Sequence, residues 1–497
     1  MSGAPGNGDL AQTAARVGGN LAALLGARVF AMALSLLQNA AIFRALTEGA
    51  GTEETGRFGY ALGFASFFTV FASLGIQRLL VRDAVRDGKD AWAQAWTGLA
   101  VLGLLSALCM AAIAAALRVL GEPEAVIAAA LWAGVSVVLV WAVQQPFEAL
   151  LMARERMGLL AAVYALTAAL KVAAVLWAMP RVPAAWSAHA AIAGANIAGL
   201  ALIAGLAFRC CGWSRPRADL RMALRQIRDS AAYTAAMLFS LLYFKSDIVL
   251  LKYLAGEAAA GQYTPVQRLM EPLLMVAALW GTALFPALCR MAHREDADMA
   301  QLQASNLRLS LLVSVPMAAG LVLLAEPIVR LLTGDAAAYA GAVVLLRWMA
   351  LVTPLFYWNS LGQEALYAAG RRWSVAAVYA AAALVNIGVN VLGVPRFGVI
   401  AVAWGALLAN ALISAVFLWR MRQILGALRL PGLLLRVGIA TLAMGATAWL
   451  LAGFSLLLAT LGGAVVFLPV LLVLRPFTAF ENEMLRALFS ASFRRAG

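Results

Sequence analysis

Apolar windows of about 20 residues, separated by short charged or Pro/Gly-containing breaks, recur along this chain from near residue 18 to residue 474. Their centres fall near residues 30, 66, 106, 137, 169, 199, 241, 276, 317, 357, 383, 409, 445 and 465. The pattern predicts an all-α, polytopic membrane protein with about fourteen transmembrane helices. The first window, Gly18 to Phe43, follows a polar, Gly-rich start, runs longer than a signal-peptide core, and has no small-x-small cleavage pattern behind it. A retained first helix is expected. No soluble domain fits between the windows.

Composition agrees with the pattern: 64% of the 497 residues are apolar and 12% are charged, more greasy surface than a water-soluble fold can hide. A net charge of +14 raises the question of nucleic acid. The basic residues, however, sit in short segments between windows, so they speak of orientation and no nucleic-acid partner is expected. One alternate set of segments holds about 25 of the Lys and Arg residues, including the run Arg209, Arg215, Arg217, Arg221, Arg225, Arg228, against about 7 in the other set. The positive-inside rule then places both termini in the cytoplasm. Cys109, Cys210, Cys211 and Cys289 show no CxxC spacing, and His189 and His293 are the two histidines, so neither a metal site nor a redox site is expected.

An internal repeat organises the chain. Glu148-Ala149-Leu150, Arg154, Arg156 and Ala161-Ala162-Val163-Tyr164-Ala165 recur as Glu364-Ala365-Leu366, Arg371-Arg372 and Ala376-Ala377-Val378-Tyr379-Ala380, about 215 residues later. Gly56-Arg57-Phe58 is echoed by Gly261-Gln262-Tyr263. Six spans per half is an even number, so the halves share one orientation and form a parallel repeat about an axis along the membrane normal. The expected divisions are a cytoplasmic tail at 1–17, a six-helix lobe at 18–211, a basic connector at 212–230 and a second six-helix lobe at 231–420. A loop at 421–436, two extra helices at 437–474 and a tail at 475–497 follow. The connector reads as a short amphipathic surface helix, with Leu220, Met222, Leu224 and Ile227 toward acyl chains, or as a solvated linker.

Ionisable groups at membrane depth are costly and tend to face a protein interior or a wet cavity. Arg28, Lys171, Lys245, Arg268, Arg308 and Arg347 fall inside predicted spans, as do Glu148, Asp247, Glu271 and Glu364. The positive excess suits a substrate carrying phosphate, which guanidinium groups grip with paired hydrogen bonds. Arg28 and Lys171 lie deepest and are expected to line a cavity. Arg268 and Glu271, at i and i+3, either share that cavity or neutralise each other. Arg308 and Arg347 are expected to reach toward an interface. Glu148 and Glu364, at equivalent repeat positions before basic turns, are expected to make cytoplasmic gate contacts with nearby arginines or to be solvated at the interface.

The stretch Tyr243-Phe244-Lys245-Ser246-Asp247-Ile248-Val249-Leu250-Leu251, with Ala260-Gly261-Gln262-Tyr263, Gln267-Arg268-Leu269 and Leu284-Phe285-Pro286-Ala287-Leu288, resembles the bacterial polysaccharide flippases. These belong to the multidrug, oligosaccharidyl-lipid and polysaccharide exporter superfamily. Ser73-Leu74-Gly75-Ile76, Leu332-Thr333-Gly334 and Ala368-Ala369-Gly370-Arg371-Arg372 extend the resemblance along nearly the whole chain. It implies two helical bundles around a cationic cavity, here Arg28, Lys171, Lys245 and Arg268. The implied activity moves undecaprenyl-pyrophosphate-linked oligosaccharide from the cytoplasmic to the periplasmic leaflet of the bacterial inner membrane for O-antigen, capsule or exopolysaccharide. It implies no enzyme activity and no cofactor. Ion coupling is not written in the sequence; Asp247 and Glu271 are the candidate groups for binding a proton or sodium ion. Membrane lipids, a polysaccharide polymerase and chain-length machinery are the implied partners. The rival readings are a drug or cation antiporter or a lipid II flippase of the same superfamily, and a membrane glycosyltransferase or polymerase from another class.

Overall fold

The structure is a computed structural model that describes residues 26, 30–49, 51–74, 76, 77, 80, 91–154, 156–212, 215–217, 219–292, 297–425, 430–478, 481 and 482. Among these residues the regular structure is entirely helical. The helices are α1 (Phe30–Gly49), α2 (Thr52–Phe67), α3 (Thr69–Ser73), α4 (Ala91–Val119), α5 (Glu124–Gly134), α6 (Trp141–Ala153), α7 (Met157–Ala178) and α8 (Ala185–Cys211). They continue as α9 (Leu220–Ala292), α10 (Ala297–Leu323), α11 (Ala325–Thr333), α12 (Ala340–Ala350), α13 (Val352–Ala368), α14 (Arg372–Phe397), α15 (Ile400–Leu425), α16 (Leu430–Ala452) and α17 (Leu456–Val473). Ten helical segments are long and apolar enough to cross a membrane, and eleven when a bent pair is counted as one span. The expected fourteen is compatible with that figure, which covers the described residues only.

Three interruptions have local causes. The 73-residue α9 is far longer than one crossing needs, and it breaks at Gly256, whose φ of 87° and ψ of 176° lie where only glycine is comfortable. It therefore carries two of the expected spans. The segment from Glu124 to Ala153 crosses as one unit but contains a π-helical turn at Val135–Val140 between α5 and α6, a looser winding that shifts the face presented by the rest of the helix. The bend of 43° between α12 and α13 falls at Leu351. Pro354 explains it, because its ring excludes the usual bond to the Ala350 carbonyl.

The helices group into two compact units. One takes the described residues up to Arg268 together with Leu332–Ala338, and the other takes Leu269–Leu331 and the residues from Tyr339 on. In the first unit α8 packs on α7, α5 and α6, and α2 packs on α5. Phe147, Leu151, Leu160, Val163, Ile203 and Ala207 form an apolar core there, with Trp92, Trp96 and Phe208 stacked beside it. In the second unit the helices outside the repeat, α16 and α17, pack on each other and α16 packs on α10. Gly463 fits under Met444 and Gly462 under Leu451, so small residues let the pair approach closely. Their outer sides expose Leu442, Trp449, Leu457, Val465 and Leu472, an apolar surface suited to lipid and not to water.

Arg308 has partners that the sequence did not suggest: it donates to Glu481 over 2.8 Å and to the Pro476 carbonyl over 3.1 Å. The Glu481 side chain is only 2% exposed, so this ion pair anchors the segment after α17 to α10. Thr478 and Glu481 bond reciprocally, the Glu481 carboxylate accepting from Thr478 N and the Thr478 hydroxyl from Glu481 N, as a capping box does.

Candidate functional site

The tightest helix crossing in the first unit lies at the end where α2 begins and α9 breaks. A Cβ on Gly56 would come 2.0 Å from the Glu257 carbonyl oxygen, and one on Gly261 would come 1.9 Å from the Thr52 carbonyl oxygen. Only glycine at both positions allows the two backbones to touch. Gly56 and Gly261 are the equivalent positions of the sequence echo. A Cβ on either glycine would also meet the backbone nitrogen of the other. Gly59 against Thr264 and Gly63 against Ile248 extend the crossing down α2.

Two polar clusters flank the glycines. The Arg57 guanidinium donates to Glu257 at 2.7 Å and to Glu54 at 2.9 Å. Glu54, itself buried, also accepts from the backbone N–H of Ala185 at 2.8 Å, satisfying a donor at the start of α8. In the second cluster the Glu122 carboxylate accepts from Lys252 and, at 2.8 Å and 3.3 Å, from the hydroxyls of Tyr253 and Tyr60. The Lys252 ammonium lies 4.3 Å from the centroid of the Tyr60 ring and 4.8 Å from that of Tyr253. Its side chain is 10% exposed and that of Glu122 is 4% exposed. Beside the crossing, Gln262 donates to the Ala338 carbonyl at 2.8 Å and Gly334 packs on the Arg44 side chain, so the Leu332–Ala338 segment closes over this end.

Deeper in the same unit, His189 stacks on Phe58 with centroids 4.3 Å apart and bonds to the Phe58 carbonyl. Asp247 is buried and accepts from the Tyr263 hydroxyl at 3.3 Å. Lys171 on α7 and Lys245 and Arg268 on α9 are each partly buried in this unit. Arg28 lies outside the described residues. Glu271 falls in the second unit, the division running just after Arg268.

At the opposite helix ends, Glu148 is buried and accepts from the Gln77 amide at 2.7 Å, from Gln144 one turn earlier and from the Tyr164 hydroxyl. The sequence paired it with arginines; the hydrogen bonds it makes here come from neutral donors. Its repeat partner Glu364 is partly buried and packs beside Gly281. In the second unit Asn359 bonds to Asn410, and the Ser414 hydroxyl donates to Asn359, a buried amide cluster between α13 and α15.

Sequence reasoning did not single out Glu54, Arg57, Glu122, Lys252 or Glu257. Arg57 entered only as part of the glycine echo, and Lys252 drew no attention. The available signal was that buried acids share an end of the helices with those two cations.

The sequence matches the family described as "Polysaccharide biosynthesis protein" over residues 17–292 and the MatE family over residues 233–392. A search of curated protein sequences finds no match. Among solved structures, the chain is similar to a lipid II flippase, MurJ, in an inward closed conformation, with TM-score 0.66, 13% identity, and 91% of this chain and 98% of that chain covered. It is similar to an inward-facing multidrug resistance MATE family transporter with TM-score 0.65 and 14% identity, covering 80% and 96% of the two chains. A transporter of the same superfamily from Pyrococcus furiosus follows at TM-score 0.56 and 15% identity, covering 82% and 96%. At such identities the structural likeness speaks of fold. With its family match spanning more than half of the sequence, the chain belongs to the family described as "Polysaccharide biosynthesis protein".

Proposed function

We propose that this protein is a flippase that carries undecaprenyl-pyrophosphate-linked oligosaccharide from the cytoplasmic to the periplasmic leaflet by alternating access, for cell-surface polysaccharide biosynthesis. The observation that carries the reading is the sealed end at Gly56 and Gly261. Its contacts are ion pairs, hydrogen bonds and bare backbone approach, which can part and reform without unfolding a core. The Lys and Arg bias supports cytoplasmic termini, and in the proposed bacterial inner membrane that orientation sets this sealed end at the periplasmic face. Arg28, Lys171, Lys245 and Arg268 then neutralise the pyrophosphate while the polyprenyl tail stays in lipid. Asp247 and Glu271 are the groups proposed to take up a coupling proton or sodium ion. A polysaccharide polymerase and chain-length machinery are the proposed downstream partners.

The MatE match over residues 233–392 favours a second reading, a drug or cation antiporter. The neighbour described as a lipid II flippase favours a third, with a lipid-linked substrate of the same head-group chemistry. Proteoliposomes offered an undecaprenyl-pyrophosphate oligosaccharide, lipid II or an organic cation separate the three. Flipping of the oligosaccharide lipid supports the proposal, and export of the cation alone overturns it.

A further inference from the structure

The basic stretch before α9 has a geometry that the flipping reaction does not use. Asp219 caps the helix, its carboxylate accepting from Arg221 N at 2.7 Å and its own N–H donating to the Thr97 hydroxyl at 3.2 Å. Gln226 is buried and donates to the Gln94 carbonyl. The first two turns of α9 are thus fastened to one end of α4, between Gln94 and Thr97. From Thr97 to the other end of α4 at Val119 is about 33 Å of helix, close to the thickness of a hydrocarbon core. The fastened turns therefore sit at the boundary of the bilayer, level with Trp92 and Trp96, side chains of the kind that mark such boundaries.

At 100° per residue the exposed side chains of these turns separate into two adjacent arcs. Leu220, Leu224 and Ile227, exposed by 75%, 60% and 39%, span an arc of about 60°. Arg228, Arg221 and Arg225, all exposed, occupy the next arc, also about 60° wide. Gln226 and the partly buried Met222 point the other way, to the protein. Exposed Arg209, Arg215 and Arg217 precede the helix. An apolar strip beside a guanidinium strip, held at the depth of the headgroups, complements acyl chains on one side and phosphate oxygens on the other.

We propose that this surface docks on anionic phospholipid of the cytoplasmic leaflet, fixing the connector to the membrane. The inference rests on the orientation proposed above and not on the identity of the transported lipid. Each arginine near an anionic surface strengthens binding by roughly fivefold, so removing three weakens it by about 100-fold.

The test needs no transport substrate. The full chain, purified in mild detergent with equal amounts of phosphatidylglycerol and phosphatidylcholine of identical acyl chains, is examined by native mass spectrometry for the lipid it retains. The protein should favour phosphatidylglycerol. The R221Q/R225Q/R228Q variant should lose that preference by tenfold or more, and R221K/R225K/R228K should keep it. Raising salt from ~0.05 M to ~0.5 M should erode the preference of the unmodified protein, a check that needs no variant to fold. Equal retention of the two lipids by the unmodified protein overturns the proposal. So does an undiminished preference in the glutamine variant or at high salt.

Discussion

Replacing Glu122 with Gln removes the charge that compensates Lys252 at a position where both side chains are nearly shielded from solvent, 4% and 10% exposed. Removing one member of a buried pair costs about 3–5 kcal/mol, most of it the penalty of a buried charge left uncompensated. That penalty applies while the end is sealed; once the helices part, the Lys252 ammonium meets water and the penalty disappears. The substitution therefore shifts the equilibrium toward the open end, by roughly 100-fold or more for 3 kcal/mol. The shift is read with a cysteine at Thr264, which is fully buried against Gly59, in a protein whose 4 native cysteines are serine. A membrane-impermeant maleimide added from the periplasmic side should label Thr264→Cys at least tenfold faster when Glu122→Gln is present. Adding Lys252→Gln, which discharges the other partner, should return much of the loss, and the coupling between the two changes measures the pair. A labelling rate within threefold of the parent in the Glu122→Gln protein would refute the lock.

Other substitutions follow from the same contacts. Gly56→Ala or Gly261→Ala forces a Cβ to about 2 Å from a backbone carbonyl and should destabilise the sealed end by ~1–3 kcal/mol, seen as faster labelling of the same probe. Gly194→Ala, which meets nothing within 4 Å, is the control and should leave the rate unchanged. Arg308→Met strands the buried Glu481 carboxylate and should release the segment after Leu474, making it cleavable by limited proteolysis at a protease dose that spares the parent. Glu148→Gln replaces one acceptor oxygen with a donor facing Gln77, Gln144 and Tyr164, and should lower thermal stability by ~1–3 kcal/mol.

Spans were legible because lipid imposes one strong rule, a long apolar run for each crossing, and ten helical segments among the described residues obey it. The glycine echo was legible too, but only as a sign of the repeat; that its two glycines meet at a helix crossing came from the structure. The ion pairs around it were not legible. Arg57 and Glu257 lie 200 residues apart, and Lys252 and Glu122 lie 130 apart, so no local spacing joins them. The Arg308 partner was hidden for a related reason, since Glu481 comes from a segment that sequence treats as a tail. The turns before Ser230 are helical, and Leu220, Leu224 and Ile227 are exposed on one side of them. Met222 turned inward instead, because Gln226 docking on Gln94 fixes the rotation of that helix.

The central claim is tested most directly by leaflet-resolved flipping of a fluorescent undecaprenyl-pyrophosphate oligosaccharide in vesicles containing the purified protein, with Arg28→Ala and Lys171→Ala beside it. The account predicts protein-dependent flipping that falls at least tenfold in both variants while their membrane insertion is unchanged. No flipping by the unmodified protein under an imposed proton or sodium gradient would contradict the lipid-linked substrate, and full activity in both variants would contradict the cationic cavity.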